Sequence, residues 1–174
     1  MKKQSYIRFV VLCIILAVLI FGDQISKFAA SAELKGKDKI IIWNGFLSFE
    51  YLENRGAAWG VFSGRIIFLT LLTIFFTLIL FVIIIKIEKA IMFTNDKIKL
   101  FSVIQFLLVL LVAGALGNLV DRLRFGYVVD FIQFEFMDFP IFNIADCYVT
   151  VSALLLVVIL LFFLKEEDIG KIKG

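Results

Sequence analysis

Two aspartates in the second half of the chain lie in or beside apolar segments, where burying a charged carboxylate costs free energy. Asp130 lies within the apolar segment YVVDFI at 127–132, and Asp146 stands three residues after Asn143 at the start of a long apolar run. An unpaired carboxyl group in apolar surroundings is expected to have a raised pKa. If the fold brings Asp130 against Asp146, the two groups cannot both ionise cheaply and would share one proton.

A carboxylate pair of this kind can hydrolyse an amide. The ionised partner takes a proton from water while the protonated partner polarises the carbonyl. Spacing alone supports this chemistry only weakly, because Asn143 and Asp146 also suit the start of a helix. Asparagine is a good N-cap, and an acidic residue in the first turn is favoured by the helix dipole.

Other polar residues lie at the ends of apolar runs. Asn118, Asp121 and Arg122 share one helical face, so an Asp121–Arg122 pair would close the helix end while Asn118 and Arg122 face a ligand. Asp23 and Lys27 are one helical turn apart and would neutralise each other near the membrane boundary.

Several other chemistries are disfavoured. The chain has no histidine, which removes Ser-His-Asp and Cys-His catalysis and leaves any metal site to carboxylates and amides. Cys13 and Cys147 belong to different predicted helices near opposite membrane faces, so no disulfide is expected. Gly114 and Gly117 suit close helix packing in lipid better than phosphate binding. The net charge of +3 is spread over the membrane flanks and indicates no nucleic-acid partner.

The elements that must position these residues are membrane helices. Of the 174 residues, 62% are hydrophobic and 16% aromatic, far more than in a soluble domain. A helix needs roughly 20 apolar residues to cross the hydrocarbon, and four segments qualify. They are approximately 7–30, 66–85, 100–120 and 143–164. A cleaved signal peptide is the alternative for the first, but Asp23 and Lys27 follow its apolar core where a cleavage site would stand.

The distribution of basic residues predicts the topology. Ten lysines and arginines flank one side, at both termini and between the second and third spans, and eight belong to the other side. The positive-inside rule then places both termini in the cytoplasm. With four alternating spans, every polar cluster named above reaches the outer side of the membrane.

Two connections on that outer side are expected to carry extended structure. Asn44-Gly45 suits a tight hairpin turn, followed by alternation in LSFEY at 47–51, and the segment 128–140 alternates in part. The aromatic residues Trp43, Trp59 and Phe62 suit the water–lipid boundary. The predicted fold is therefore a single domain, 1–174, of the all-α membrane class. It has four transmembrane helices, a small extracytoplasmic β-hairpin or β-platform and a second extracytoplasmic loop.

Five stretches, taken in order, resemble one known family. They are DQISK at 23–27, NRGAAWG at 54–60, GALGNLVDR at 114–122, GYVVDF at 126–131 and FNIAD at 142–146. This series resembles the type II, or lipoprotein, signal peptidases of bacteria. The resemblance implies an aspartic endopeptidase of the cytoplasmic (inner) membrane, which removes signal peptides from diacylglyceryl-modified prolipoproteins by cutting before the lipidated cysteine.

The resemblance also implies roles for single residues. Asp130 and Asp146 match the catalytic aspartates, and four residues match substrate-binding positions: Asn54, Asn118, Arg122 and Asn143. The supporting polar positions fall on Asp23, Lys27 and Asp121. Trp59 and Cys147 depart from the common phenylalanine and serine, which affects local packing. Lipid-modified prolipoproteins and membrane lipid are the implied partners, with cyclic-peptide inhibitors as a further ligand class and no cofactor or metal.

Two other interpretations remain open at this point. A small four-span transporter or ion-coupled carrier would also place charged residues in membrane helices, although the second span has only threonines near its middle. A membrane-embedded metal hydrolase would use Asp130, Asp146 and Asn143 as ligands.

Overall fold

The computed structural model of the protein describes residues 2–56, 64–93 and 97–173. Trp59 and Phe62, two aromatics expected at the water–lipid boundary, lie outside these ranges. The described elements are, in order, α1 (Lys2–Leu34), β1 (Ile40–Trp43), β2 (Leu47–Asn54), α2 (Ile66–Phe93), α3 (Ile98–Phe125), β3 (Val128–Phe134), α4 (Ile144–Phe162) and α5 (Glu166–Lys173).

Within the described residues, four helices are long and apolar enough to cross a membrane, as the sequence predicts: α1, α2, α3 and α4. The first three extend beyond the predicted spans, because polar residues can continue a helix where apolar ones end. The fourth begins one residue later than predicted, since Asn143 is its N-cap and not its first helical residue.

Helix α3 forms the centre of the bundle. In its most apolar stretch 56% of the residues are buried, compared with 0% to 11% in the other three. It packs against α1, α2 and α4. Gly114 permits the closest approach, since a Cβ there would lie 2.3 Å from the carbonyl oxygen of Ala145 in α4. The expected close packing at Gly114 and Gly117 is confirmed.

A three-stranded antiparallel sheet, ordered β1-β2-β3, stands at one end of the bundle. Asn44, Gly45 and Phe46 form the turn between β1 and β2, and Gly45 has φ +70°, which glycine adopts without strain. Strand β3 pairs with β2 from Leu47↔Phe134 to Asn54↔Val128. The two connections therefore form one sheet, and this end of the molecule is called the sheet end below.

Helix α5 was not predicted. Its sequence, EEDIGKIK, is short and charged, so it gives no span signal. Asp168, which is fully buried, accepts hydrogen bonds from the backbone of Lys165 and from the Lys97 ammonium before α3. These contacts fix α5 to the end of the bundle opposite the sheet.

Candidate active site

The start of α4 positions Asp146. Asn143 has an extended backbone and caps the helix, its Oδ1 accepting from the backbone N–H of Asp146 at 3.0 Å. In return, Oδ2 of Asp146 accepts from the backbone N–H of Asn143 at 3.2 Å. This reciprocal capping box satisfies donors that a helix N-terminus leaves unpaired. The predicted N-cap is confirmed.

Strand β3 brings Asp130 to the same place. The backbone N–H groups of Phe131 and Ile132 both donate to the carbonyl of Phe142, which fastens β3 beside the residue preceding the N-cap. Asn143 Nδ2 consequently lies 2.6 Å from Oδ1 of Asp130. On the other side Asn54, at the end of β2, donates from Nδ2 to Oδ2 of Asp130 at 2.8 Å.

Asn118 in α3 connects the two aspartates. Its Nδ2 donates to Oδ1 of Asp146 at 2.7 Å, and its Oδ1 accepts from Nδ2 of Asn143 at 3.1 Å. All four carboxylate oxygens of Asp130 and Asp146 thus accept at least one N–H. Three asparagines hold the carboxylates in fixed orientations within one buried network.

The setting of Asp130 changes its protonation. Its side chain is 1% exposed. Burial, followed by the negative charge of Asp146, raises the pKa of Asp130 to about 7, although hydrogen bonds from Asn54 and Asn143 and the charge of Lys27 act in the opposite direction. The expected rise is confirmed. At neutral pH a proton is therefore available at this site.

A buried ion cluster supports the network from α1. The Lys27 ammonium lies 2.9 Å from Oδ2 of Asp23 and 3.1 Å from Oδ2 of Asp121, and it donates to Oδ1 of Asn118 at 2.8 Å. Each of the three charged side chains is at most 3% exposed. The predicted Asp23–Lys27 pair is confirmed.

The two carboxylates of this cluster also hold the backbone. Oδ1 of Asp23 accepts from the backbone N–H of Ala145 in α4, and Oδ2 of Asp121 accepts from that of Val129 in β3, at 3.0 and 3.1 Å. Ala145 precedes Asp146, and Val129 precedes Asp130. The cluster therefore positions the chain directly beside each aspartate of the pair.

The suggested Asp121–Arg122 pair is not the one that forms. Among the described residues, the ion-pair partner of Asp121 is Lys27, because neighbouring residues on a helix point in different directions. Arg122 is partly exposed and donates from Nη1 to the hydroxyl of Thr73 at 3.5 Å. It lies near enough to Asp121, Asp130 and Asp146 to interact with their charges.

One member of the site was not predicted from the sequence. Gln24 donates from Nε2 to Oδ2 of Asp23, to the carbonyl of Gly117 and to Oδ1 of Asp121, at 3.0 to 3.2 Å. Its position between Asp23 and Lys27 was the only indication in the sequence of a role in the site, but a glutamine there is also typical of an exposed helix surface.

The remaining candidates have plainer roles. Cys13 is exposed and Cys147 is partly exposed, and both are free thiols, as expected.

Asn143 uses its oxygen to cap α4 and directs its amide nitrogen at Asp130. An amide nitrogen is not a metal ligand, so the donor set proposed for a metal hydrolase loses one of its three members.

The profile of a family described as Signal peptidase (SPase) II matches residues 14–162. A lipoprotein signal peptidase of Clostridium tetani (strain Massachusetts / E88) is 40% identical over 157 residues, covering 88% of this chain and 92% of that protein. One of Streptococcus pyogenes serotype M2 (strain MGAS10270) is 38% identical over 171 residues, covering 98% and 99%. A solved structure described as a bacterial membrane enzyme superposes with a TM-score of 0.72 at 34% identity, over 87% of each chain.

Proposed function

Because the chain belongs to the signal peptidase II family, we propose that it is an aspartic endopeptidase that removes signal peptides from diacylglyceryl-modified prolipoproteins. Membership makes it a peptidase with membrane-spanning helices. The proposal adds the mechanism, the lipid-modified substrate and the position of the cut, which lies just before the lipidated cysteine. Lipoprotein signal peptidase is also the name of the relatives that align with most of the chain.

One observation carries the mechanism: Asp130 is buried, has a pKa of about 7 and is influenced by the charge of Asp146. In the proposed reaction Asp146 takes a proton from water, and the oxygen of that water attacks the scissile carbonyl. Asp130 supplies its proton to the carbonyl oxygen. Asp146 then passes the proton it took from water to the departing nitrogen as the C–N bond breaks, and Asp130 recovers a proton from the hydroxyl that becomes the product's carbonyl oxygen.

The other predicted site residues divide into two groups in this proposal. Asn54, Asn118 and Asn143 donate to the aspartates and keep their oxygens oriented toward water and substrate. Arg122 is partly exposed beside the pair and holds a carbonyl of the extended substrate. Asp23, Lys27 and Asp121 keep the helices and β3 in register.

The proposed location is the bacterial cytoplasmic membrane, with both termini cytoplasmic and the sheet end outside. The excess of basic residues at the termini and between the second and third spans supports this orientation. So do exposed aromatics at the sheet end, of which Trp43 is 65% exposed. There the acyl chains of a lipidated cysteine would confine the scissile bond to the depth of Asp130 and Asp146, so the bilayer supplies part of the orientation.

Cleavage of matched proproteins tests the proposal. Purified protein in bilayers should cut a diacylglyceryl-modified proprotein and leave the unlipidated form largely intact, with or without a chelator. Asp130→Asn and Asp146→Asn should each lower turnover by about 10² to 10⁴, and the double variant should be little worse than either. Equal cleavage of both substrates contradicts the lipid requirement, and near wild-type turnover by Asp130→Asn contradicts the aspartic mechanism. Failure to cut any proprotein would favour the carrier.

A further inference from the structure

A charged cluster occupies the end of β2 on the side of the sheet away from Asp130. Glu53 and Asn54 are the last two residues of β2 and pair with Val129 and Val128 of β3. Successive side chains of a strand point to opposite faces. Since Asn54 reaches Asp130, Glu53 points away from the proposed active site.

The Glu53 carboxylate joins three parts of the chain. It accepts from Nζ of Lys35, just after α1, at 2.8 Å and from the hydroxyl of Tyr51 at 3.5 Å. Nη2 of Arg55 lies 3.5 Å from its second oxygen. The hydrogen bond from Lys35 lowers the pKa of Glu53 most, and Tyr127, at the junction of α3 and β3, and Arg55 act in the same direction against burial. A partly exposed carboxylate with three donors is more than an ordinary surface ion pair, which contributes little alone.

Tyr127 is the member of this cluster that comes from the segment leading into β3, whereas Tyr51, Glu53 and Arg55 belong to β2 or follow it directly. It lies between Gly126, the left-handed C-cap of α3, and the first residue of β3. Hydrogen bonding to Tyr51, together with burial and the charge of Glu53, raises the pKa of Tyr127 to about 12, so its hydroxyl remains a donor. The Arg55 guanidinium lies 5.7 Å from the centre of its ring.

Asn54 is held at the point where β2 stops. Its Nδ2 donates to Asp130, while its Oδ1 accepts from the backbone N–H of Gly56 at 2.9 Å. The carbonyl of Arg55, the residue after Asn54, accepts from the backbone N–H of Gly64 at 3.1 Å. Strand ends open more readily than strand centres, so the hydrogen bond to Asp130 depends on what closes this end.

We propose that Glu53 and Tyr127 are positioning residues for the peptidase reaction, which clasp the end of β2 to β3 so that Asn54 keeps its hydrogen bond to Asp130. This inference rests on the proposed function, because it concerns the same aspartate. Neither side chain touches the scissile bond; both act through Asn54.

The pH profile of kcat/KM reports this role directly. The groups that act on Asp130 are Asn54, Asn143, Asp146 and Lys27, with Arg122 nearby. Because the Asn54 hydrogen bond lowers the pKa of Asp130, its loss lets Asp130 keep its proton to higher pH. Asn54→Ala should therefore move the alkaline limb up by about one pH unit, with about a tenfold loss of rate.

Glu53→Ala and Tyr127→Phe should move the limb in the same direction by a smaller amount, and Glu53→Gln should restore part of the shift. The double variant Glu53→Ala/Asn54→Ala should show the limb of Asn54→Ala alone, because the two positions act in series. Glu135→Gln is the matched control. It removes the Lys39–Glu135 pair, 2.6 Å apart, from the other end of the sheet and should leave the limb unchanged.

Two results would overturn the inference. One is a wild-type alkaline limb in Glu53→Ala, whether or not its melting temperature falls. The other is a Glu53→Ala shift that adds fully to that of Asn54→Ala. Failure of the proposed function would look different, because Asp130→Asn would then retain turnover and the limb would not belong to Asp130.

Discussion

The amide nitrogen of Asn143 lies 2.6 Å from Oδ1 of Asp130, while the oxygen of the same side chain caps α4. One fully buried side chain thus joins the last membrane helix to the sheet. The two aspartates of the site, which lie on different elements, are kept together by this amide and by that of Asn118. Folding of α4 and orientation of Asp130 are therefore coupled.

That double role can be separated by two substitutions at Asn143. Serine retains a capping oxygen and alanine does not, so Asn143→Ala should be less stable than Asn143→Ser by about 0.5 to 2 kcal/mol. Neither supplies an amide to Asp130, so both should lose turnover to a similar extent. Thermal unfolding in detergent and cleavage per folded molecule separate the effects. Full activity of Asn143→Ser would show that the amide does not orient Asp130.

The raised pKa of Asp130 predicts a pH-dependent stability. Its pKa is about 7 in the folded protein, compared with 3.8 for an ordinary aspartate, which represents the unfolded chain. Asp130 is thus protonated more easily in the folded state than in the unfolded state. The contribution of this group to the free energy of unfolding is fully present below about pH 4 and is lost as the pH rises through 7. The shift corresponds to at most about 4 kcal/mol. Asp130→Asn cannot ionise, so it should melt above the wild type at pH 8 and nearer to it at pH 5. A wild-type advantage that grows with pH would contradict this.

The glycines of α3 predict a graded packing effect. A Cβ at Gly114 would meet the backbone carbonyl of Ala145 at 2.3 Å, whereas one at Gly117 would meet the Asp23 carboxylate at 2.5 Å. Backbone yields less readily than a side chain, although Asp23 is also constrained. Gly114→Ala should therefore destabilise the bundle by about 1 to 3 kcal/mol or more. Gly170→Ala, in α5 where nothing lies within 4 Å, is the control and should be at least as stable as the wild type, because alanine favours a helix more than glycine does. Equal melting temperatures for Gly114→Ala and the control would refute tight α3–α4 packing.

Much of the fold follows from sequence because the membrane leaves few choices. A long apolar segment in lipid must satisfy its backbone internally, so it is helical, and all four spans are found. The Asn44-Gly45 turn is similarly local, since the hairpin needs φ above zero at that glycine. The pairing of β3 with β2 depends on packing between distant segments, which alternation alone does not specify.

The site was less predictable where it depends on backbone atoms or distant pairs. The backbone N–H groups of Ala145 and Val129 donate to Asp23 and Asp121. Nearly every residue has such a donor, so the residue types give no indication of which ones are used. Asp23, one helical turn from Lys27, was its expected partner, so a second partner, Asp121 in α3, was not predicted.

A second polar cluster was also missed, at the end of the bundle opposite the sheet. There Arg8 of α1 approaches Glu88 of α2 at 3.4 Å and donates to Gln105 and Ser102 of α3. In the sequence Arg8 is only one of the ten basic residues that predict the topology, because nothing local connects it to residues eighty or more positions away.

The Lys27 cluster gives the last prediction, a contrast between support and chemistry. Lys27→Met would leave Asp23 and Asp121 buried without their common cation, which should cost about 3 to 5 kcal/mol. Asp23→Asn leaves Lys27 its contact with Asp121 at 3.1 Å, and the asparagine oxygen can still accept from Ala145. It should therefore cost less, and it should retain most of its turnover per folded molecule, whereas Asp130→Asn retains folded protein and loses turnover. Folded fraction and peptide release are measured on the same samples. If Asp23→Asn folds fully and is as inactive as Asp130→Asn, Asp23 belongs to the chemistry and not to its support.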